Sequence, residues 1–281
     1  MPLRIVTDST ADLPAEIREA LRIEMVPLTV HFGAESYKDV VEMGSEAFWR
    51  KLASSPHHPR TAQPSPGDFL KVYRSLAAQG DEILSIHISG KLSGTIASAQ
   101  VAAQMLPDAQ ITLLDTRSAS LGLGLVALEA ARLAEQGRSA SEMLPHLEAI
   151  CSRMNVLFTL DTLEFLQRNG RIGKARALLG SLLEVKPILH IDPEGVVAPL
   201  DKVRGKSRTL PRTLELLQQR VPRGSRVKMA VLHTQAPEQA AEWLAAAREI
   251  YQVEEALIAP IGSVIATHVG PGAIGFAFYQ A

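Results

Sequence analysis

Cysteine is nearly absent from this chain. Cys151 is the single one in 281 residues, so no intramolecular disulfide can form, and the residue reads as a small buried hydrophobe. An excess of charge of one sign is also missing. The formal net charge is −1, which removes the bulk electrostatic case for binding nucleic acid or an anionic membrane. No apolar run approaches the roughly 20 residues of a membrane-spanning helix, so stable membrane insertion is not expected. The first eight residues read as a strand, too short and too polar at their end for a signal peptide, and a cytoplasmic location is expected. Internal repeats, low-complexity tracts and linker-like shifts in composition are lacking as well. What remains is an ordinary globular composition, 46% hydrophobic and 21% charged, long enough for one large or two medium domains.

The first half alternates strands and helices. Strands fit 3–7, 25–32, 82–88 and 110–115; helices fit 14–22, 45–53, 66–79, 94–105 and 122–136. Ser65-Pro66-Gly67-Asp68 is a clear helix opening, with a serine cap, proline at the first helical position and an acid in the first turn. Such alternation predicts a mostly parallel sheet with helices on both faces. The second half differs. Strands fit 156–160, 186–191, 196–203, 228–233, 255–259 and 273–279, with a hairpin turn at Pro193-Glu194-Gly195; helices fit 163–168, 175–183, 210–220 and 237–251. A hairpin beside crossover elements predicts a mixed sheet. The expected fold is two-domain α/β, with residues 1–153 and 154–281 as the two units.

Ligands of parallel sheets bind beyond the carboxyl ends of the strands. Asp8-Ser9-Thr10, the stretch from Ser89 to Ser93 and the stretch from Asp115 to Ser120 all fall there. The most informative is Ser89-Gly90-Lys91-Leu92-Ser93-Gly94-Thr95, which joins a strand to a helix start. Helix starts carry unpaired N–H groups and partial positive charge, so they favour an anion. Gly94 allows close approach to the backbone, and Ser93 and Thr95 add hydroxyls. No acid, base or metal ligand stands in this turn. It suits holding a small anion better than reacting with it.

Several other patterns have plainer readings. Gly270-Pro271-Gly272-Ala273-Ile274-Gly275 has dinucleotide-motif spacing, but a strand follows where that motif needs a helix. A tight loop carrying His268 toward a pocket fits better. Ser93 with His268 suggests a hydrolase or transferase, yet Gly90 lies one place too far back for a nucleophile elbow. His57-His58 reads as a solvated loop, and no metal site is expected. His31, His87 and His190 fall within strands and read as packed, hydrogen-bonded histidines. Arg171 and Arg204 lie in short basic, glycine-containing loops, which are solvated surface or together an anion or acidic-partner patch.

Taken in order, these stretches resemble the DegV family of bacterial fatty-acid-binding proteins. The matching pieces run from Thr7-Asp8-Ser9-Thr10-Ala11-Asp12-Leu13-Pro14 through Thr61-Ala62-Gln63-Pro64-Ser65-Pro66 and Ile88 to Thr95. They continue through Asp115 to Gly122, Thr162 to Ile172, Lys186-Pro187-Ile188-Leu189 and His268 to Ala273. The resemblance implies one long-chain fatty acid, palmitate for example, held in a tunnel between two α/β domains. It implies a carrier without its own catalysis or cofactor, which presents the acid to a separate fatty acid kinase as a phospholipid precursor. By resemblance the carboxylate contacts fall on Thr61, Ser93 and the Gly94 backbone, with His268 close by. Arg171 and Arg204 fall near the pocket mouth, where they are implied to meet phosphate or the kinase. The chain departs from the usual pattern at Ala62 and Gly90, both commonly serine; Ala62 removes a hydroxyl, which weakens the expected carboxylate hold, and Gly90 is expected to loosen the loop. A carboxylate beside His268 is expected to favour its protonated form. The alternative is a small-molecule transferase or hydrolase using Ser93 and His268.

Overall fold

The computed structural model describes residues 2–179 and 185–281. In chain order the first half comprises β1 (Leu3–Asp8), α1 (Ala15–Ala20), β2 (Glu24–Val26), β3 (Thr29–Phe32), β4 (Glu35–Lys38), α2 (Ser45–Ser54), β5 (Arg60–Ala62) and α3 (Pro66–Ala77). It continues with β6 (Glu82–His87), α4 (Thr95–Gln104), β7 (Ile111–Asp115), α5 (Leu121–Glu135) and α6 (Ala140–Arg153). The second half comprises β8 (Asn155–Thr159), α7 (Glu164–Arg168), β9 (Val185–Ile191), β10 (Val197–Arg204) and α8 (Thr209–Arg220). It ends with β11 (Arg226–His233), α9 (Pro237–Arg248), β12 (Gln252–Pro260), α10 (Ser263–Val269) and β13 (Ile274–Gln280).

The strands build three sheets. A parallel sheet runs β2-β1-β6-β7, and a mixed sheet runs β10-β9-β8-β13-β11-β12, with β11 and β12 its parallel pair. A small antiparallel sheet, β4-β3-β5, is a feature absent from the sequence reading. The expected strand over 25–32 divides at Pro27 into β2 and β3, which join different sheets. Proline offers no N–H to continue a ladder; the next N–H, that of Leu28, turns to Ser9 Oγ at 3.1 Å. Of the helix expected over 175–183, the described part is a tighter 3-10 segment, Gly173–Leu178, and residues 180–184 lie outside the described residues. Helix α6 was also missed in the sequence. Its capping box, Ser139 with Glu142, is legible, but the interior Pro145 argues against a helix.

Alternation along the strands sorts side chains into three cores. Val156 and Phe158, Ala230 and Leu232, and Ala277 and Tyr279 face inward; Leu157, Met229, Val231, Phe276 and Phe278 face outward, onto α8 and α9. In the parallel sheet Ile5, Leu84 and Ile86 face inward, while Val6 and Ile83 pack under Phe69 and Tyr73 of α3. Between the two inward faces lies α5, which touches β1 and β6 on one side and β11 and β13 on the other. Ten of its 15 residues are buried. Its polar residues, Glu129, Arg132 and Glu135, fall in the last part, and the first eight, apolar all round, have to be enclosed.

Deep in the parallel sheet, Tyr73 donates to Ser85 Oγ at 2.7 Å, Ser85 meets His87 Nε2 at 2.7 Å, and His87 Nδ1 meets Asp8 Oδ2 at 2.9 Å. Asp8 also accepts from the backbone N–H of Thr10 and Ile88. His87 is thus a satisfied core histidine, and Asp8 ties the ends of β1 and β6 together instead of facing a ligand.

Close approach of α5 rests on glycine. A Cβ at Gly124 would stand 2.5 Å from the carbonyl oxygen of Ala11. In an ordinary helix interior Gly→Ala gains about 0.5–1 kcal/mol. Here that gain is outweighed by a collision with backbone, and Gly124→Ala is expected to destabilise the fold by about 1–3 kcal/mol. Urea unfolding of the two proteins checks this; a higher midpoint for Gly124→Ala contradicts the packing.

Candidate functional site

At the strand ends, between the inward faces of the two sheets, the packing leaves a cavity. Its apolar walls come from both halves of the chain: Leu28, Ile88, Leu92 and Ala119 from the first, and Val156, Phe158, Leu166, Ile191, Val197, Leu232, Val264, Ile265 and Val269 among those of the second. The empty space, mouth included, is about 850 Å³. Polar side chains lining it are Thr61, Gln63, Ser93, Ser120, Arg171 and His268. No carboxylate is among them.

Two of these polar groups bond each other, and three more are held in place by neighbouring residues. Thr61 of β5 places Oγ1 2.9 Å from Nε2 of His268. His268 comes from α10, a second-half helix that packs on β3 and β5 of the first half. The N-terminus of α10 is pinned there as well: Gly262 N–H donates to Asp12 Oδ1 at 3.1 Å, and Ser263 Oγ to Met43 O at 3.0 Å. Near its C-terminus, Thr267 O accepts from Asn169 Nδ2 at 2.9 Å. Arg171, exposed at the rim, donates to Asn169 O at 2.9 Å and to Leu92 O at 3.4 Å. That second bond reaches back to the residue before Ser93.

Ser93 precedes α4, and its Oγ lies 2.8 Å from Thr95 Oγ1. Gly94 is the N-cap and carries no side-chain cap. A Cβ at Gly94 would stand 2.2 Å from Gln63 Oε1, so only glycine lets Gln63 lie across the helix start. Gln63 is held there by a bond to Ser98 Oγ at 3.1 Å. Gln63 and Ser120 were missed in the sequence. Gln63 stood inside a quoted motif but read as part of an ordinary capped loop, and Ser120 gave no signal beyond its place at a strand end.

Burial, with the nearby positive charges of Arg171 and His58, pushes the His268 imidazole down to about 3. The free protein therefore holds it neutral; the expected protonated form concerns the ring with a carboxylate bound beside it. Its Nδ1 is buried without a partner. In either tautomer the Thr61–His268 pair keeps one donor unspent: Nδ1–H in one, the threonine hydroxyl proton in the other. Ser93 and His268 line the same cavity but are not paired with each other. No carboxylate orients His268, so the elements of an acyl-transfer dyad do not meet in this arrangement.

The remaining sequence expectations fall outside this set. Arg204 is exposed at the end of β10, opposite Val185, and is not among the lining residues. Ala62 is exposed and does not line the cavity, so the hydroxyl it lacks is not one taken from these walls. Gly90 is held rather than loosened, its N–H donating to Asp115 Oδ2 at 3.1 Å. Among the described residues no three His, Cys, Asp or Glu side chains are placed to hold a metal ion, and no helix is long and apolar enough to cross a membrane.

The DegV family model, described as "Uncharacterised protein, DegV family", matches residues 2–281. The chain is 36% identical to Protein DegV of Bacillus subtilis over 276 residues, 98% of each chain. It is 39% identical to a DegV domain-containing protein of Streptomyces coelicolor over 276 residues, 96% of each. Among solved structures it matches a fatty-acid-binding DegV family protein from Thermus thermophilus with a TM-score of 0.92 at 39% identity, covering 100% of both chains. It matches DegV of Bacillus subtilis, described as a fatty acid binding protein, with a TM-score of 0.89 at 36% identity, again over 100% of both. With the same fold over its whole length and the family's motifs in order, this chain belongs to the DegV family.

Proposed function

We propose that this protein binds a long-chain fatty acid such as palmitate in the cavity between its two halves and presents the carboxylate to a separate fatty acid kinase. The observation that carries the reading is the cavity itself, apolar along its walls with uncharged donors gathered beside one exposed arginine. The fatty-acid binding named for the Thermus and Bacillus proteins supports it. A buried methylene contributes about 0.8 kcal/mol, so roughly fourteen give on the order of 10 kcal/mol before ordering costs. The chain supplies affinity and the polar end supplies orientation. In this reading the carboxylate accepts from the Thr61 and Ser93 hydroxyls and the Gly94 N–H. His268 donates Nε2–H to Thr61, which frees the threonine proton for the ligand.

Ser93→Ala and Thr61→Val each remove one charge-assisted donor while leaving the apolar walls. Each is expected to weaken binding by about 1–3 kcal/mol, roughly 5- to 150-fold. Titration of a fluorescent fatty acid measures this, and two single variants indistinguishable from the parent rule out the carboxylate site.

The depressed His268 fixes the sign of the pH dependence. A bound carboxylate raises an imidazole by about 1–3 units, so any charge-linked affinity is present at low pH and lost as pH rises toward about 6. Between roughly pH 6.5 and 8.5 the affinity should be flat, in the parent and in His268→Gln alike. A steady fall across that range in the parent alone shows that His268 binds as a cation.

Arg171 and Arg204 are assigned to the partner or to phosphate. Both are exposed, and each alanine variant is expected to keep fatty-acid affinity within about threefold while slowing phosphorylation by a cognate kinase. A kinase-coupled assay beside the lipid titration tests the division. Loss of lipid binding in Arg171→Ala makes it a carboxylate ligand; full phosphorylation rates in both variants make these loops solvated surface.

A further inference from the structure

A second concavity stands back to back with the first. It shares Val156 and Ile191 with the apolar cavity, so those two side chains form a common wall. Three arginines from separate elements converge on it: Arg117 after β7, Arg153 at the end of α6 and Arg220 at the end of α8. None of the three is in an ion pair among the described residues, and the contacts that position them are neutral. Arg153 Nε donates to Ala149 O at 3.1 Å. Arg220 donates to Asn155 Oδ1 at 3.1 Å and lies 3.3 Å from His190 Nδ1. That geometry makes His190 Nδ1 the acceptor and the imidazole neutral, in keeping with the lowering that burial and Arg220 impose on it.

Asp192 and Asp115 are committed elsewhere, and Glu148, which acts on Cys151, is exposed and outside the lining. Asp192, the one acid lining it, gives Oδ2 to Lys174 Nζ at 2.7 Å and Oδ1 to the backbone N–H of Glu194 and Val196, both at 3.0 Å. Asp115 turns to the N–H groups of Gly90 and Arg117. The thiol of Cys151, also in the lining, is pushed up to about 12 chiefly by burial and adds no negative charge. A helix C-terminus favours a cation locally, which accounts for an arginine ending α6 or α8. It does not account for both meeting Arg117 around one hollow with no counterion.

We propose that Arg117, Arg153 and Arg220 form a second ligand site, distinct from the lipid cavity, that takes a phosphate-class dianion, free or as the phosphomonoester of a small molecule. Guanidinium groups present paired N–H donors that match phosphate oxygens. Three of them converging leave a charge that a dianion satisfies better than a carboxylate. The shared wall places this site one side chain away from the lipid.

The probe is inorganic phosphate, titrated calorimetrically into the whole protein at fixed ionic strength, with chloride as the control anion. One phosphate per chain should bind saturably in the millimolar range or tighter. Arg117→Gln, Arg153→Gln and Arg220→Gln should each weaken it about tenfold, with circular dichroism and fluorescent fatty-acid affinity unchanged. Absence of saturation, or binding that none of the three substitutions alters, overturns the site. Vesicles containing an anionic phospholipid form the second arm. Arginine-dependent attachment to vesicles without arginine-dependent binding of free phosphate overturns the small-ligand assignment and makes the cleft a headgroup contact. Should Arg220→Gln fail to fold, Arg117→Gln decides alone, since Arg117 is exposed and belongs to none of the three cores.

Discussion

Enclosure of α5 is the constraint on which the other packing depends. Its first eight residues, Leu121-Gly-Leu-Gly-Leu-Val-Ala-Leu, offer no polar side to water, so a sheet has to cover them from each direction. The chain meets this with two sheets drawn from its two halves, each apolar on its inward side, and the glycines let the backbones close. Fully buried leucines at 121 and 123 show how completely the helix is covered. Covering a rod with two twisted sheets leaves space where they diverge, and the cavity lies at such a place, beside Ala119 and Ser120 at the start of the helix.

What turns this space into a site is α10. It is short and belongs to the second half by sequence, yet its neighbours β3 and β5 are in the first. Asp12 and Met43 hold one end and Asn169 holds the other. Asp12 is half-buried, and desolvation holds its carboxyl well above the usual range. Its bonds to Ser120 and Gly262 counter that only in part. The polar end of the cavity is thus made by two halves meeting, and neither half carries it alone.

The alternation of strand and helix, the capped start of α3 and the hairpin at Gly195 were legible because each rests on local chemistry: period, cap and turn. The small β4-β3-β5 sheet was not, since Pro27 hides its break inside a run that reads as one strand. Thr61, Ser93, Arg171 and His268 were named from motifs, and the structure brings all four to one cavity. Composition and spacing pointed to none of their distances. Gln63 escaped because a glutamine in a loop carries no pattern, and its role appears when Gly94 is seen to leave room for it. The neutral resting state of His268 was not legible for a related reason. A sequence shows neither the burial nor the neighbouring Arg171 that hold the ring neutral.

The way α10 is fastened also separates how the polar end is closed from what the apolar walls enclose. Thr61–His268 ties the first half to the second across the polar end of the cavity, while Asn169–Thr267 braces α10 within the second half. Those contacts belong to the protein and not to its contents. The bond across the halves and the apolar length enclosed rest on different residues, so a change at Thr61 or His268 alters how the polar end is closed while the apolar walls stay as they are.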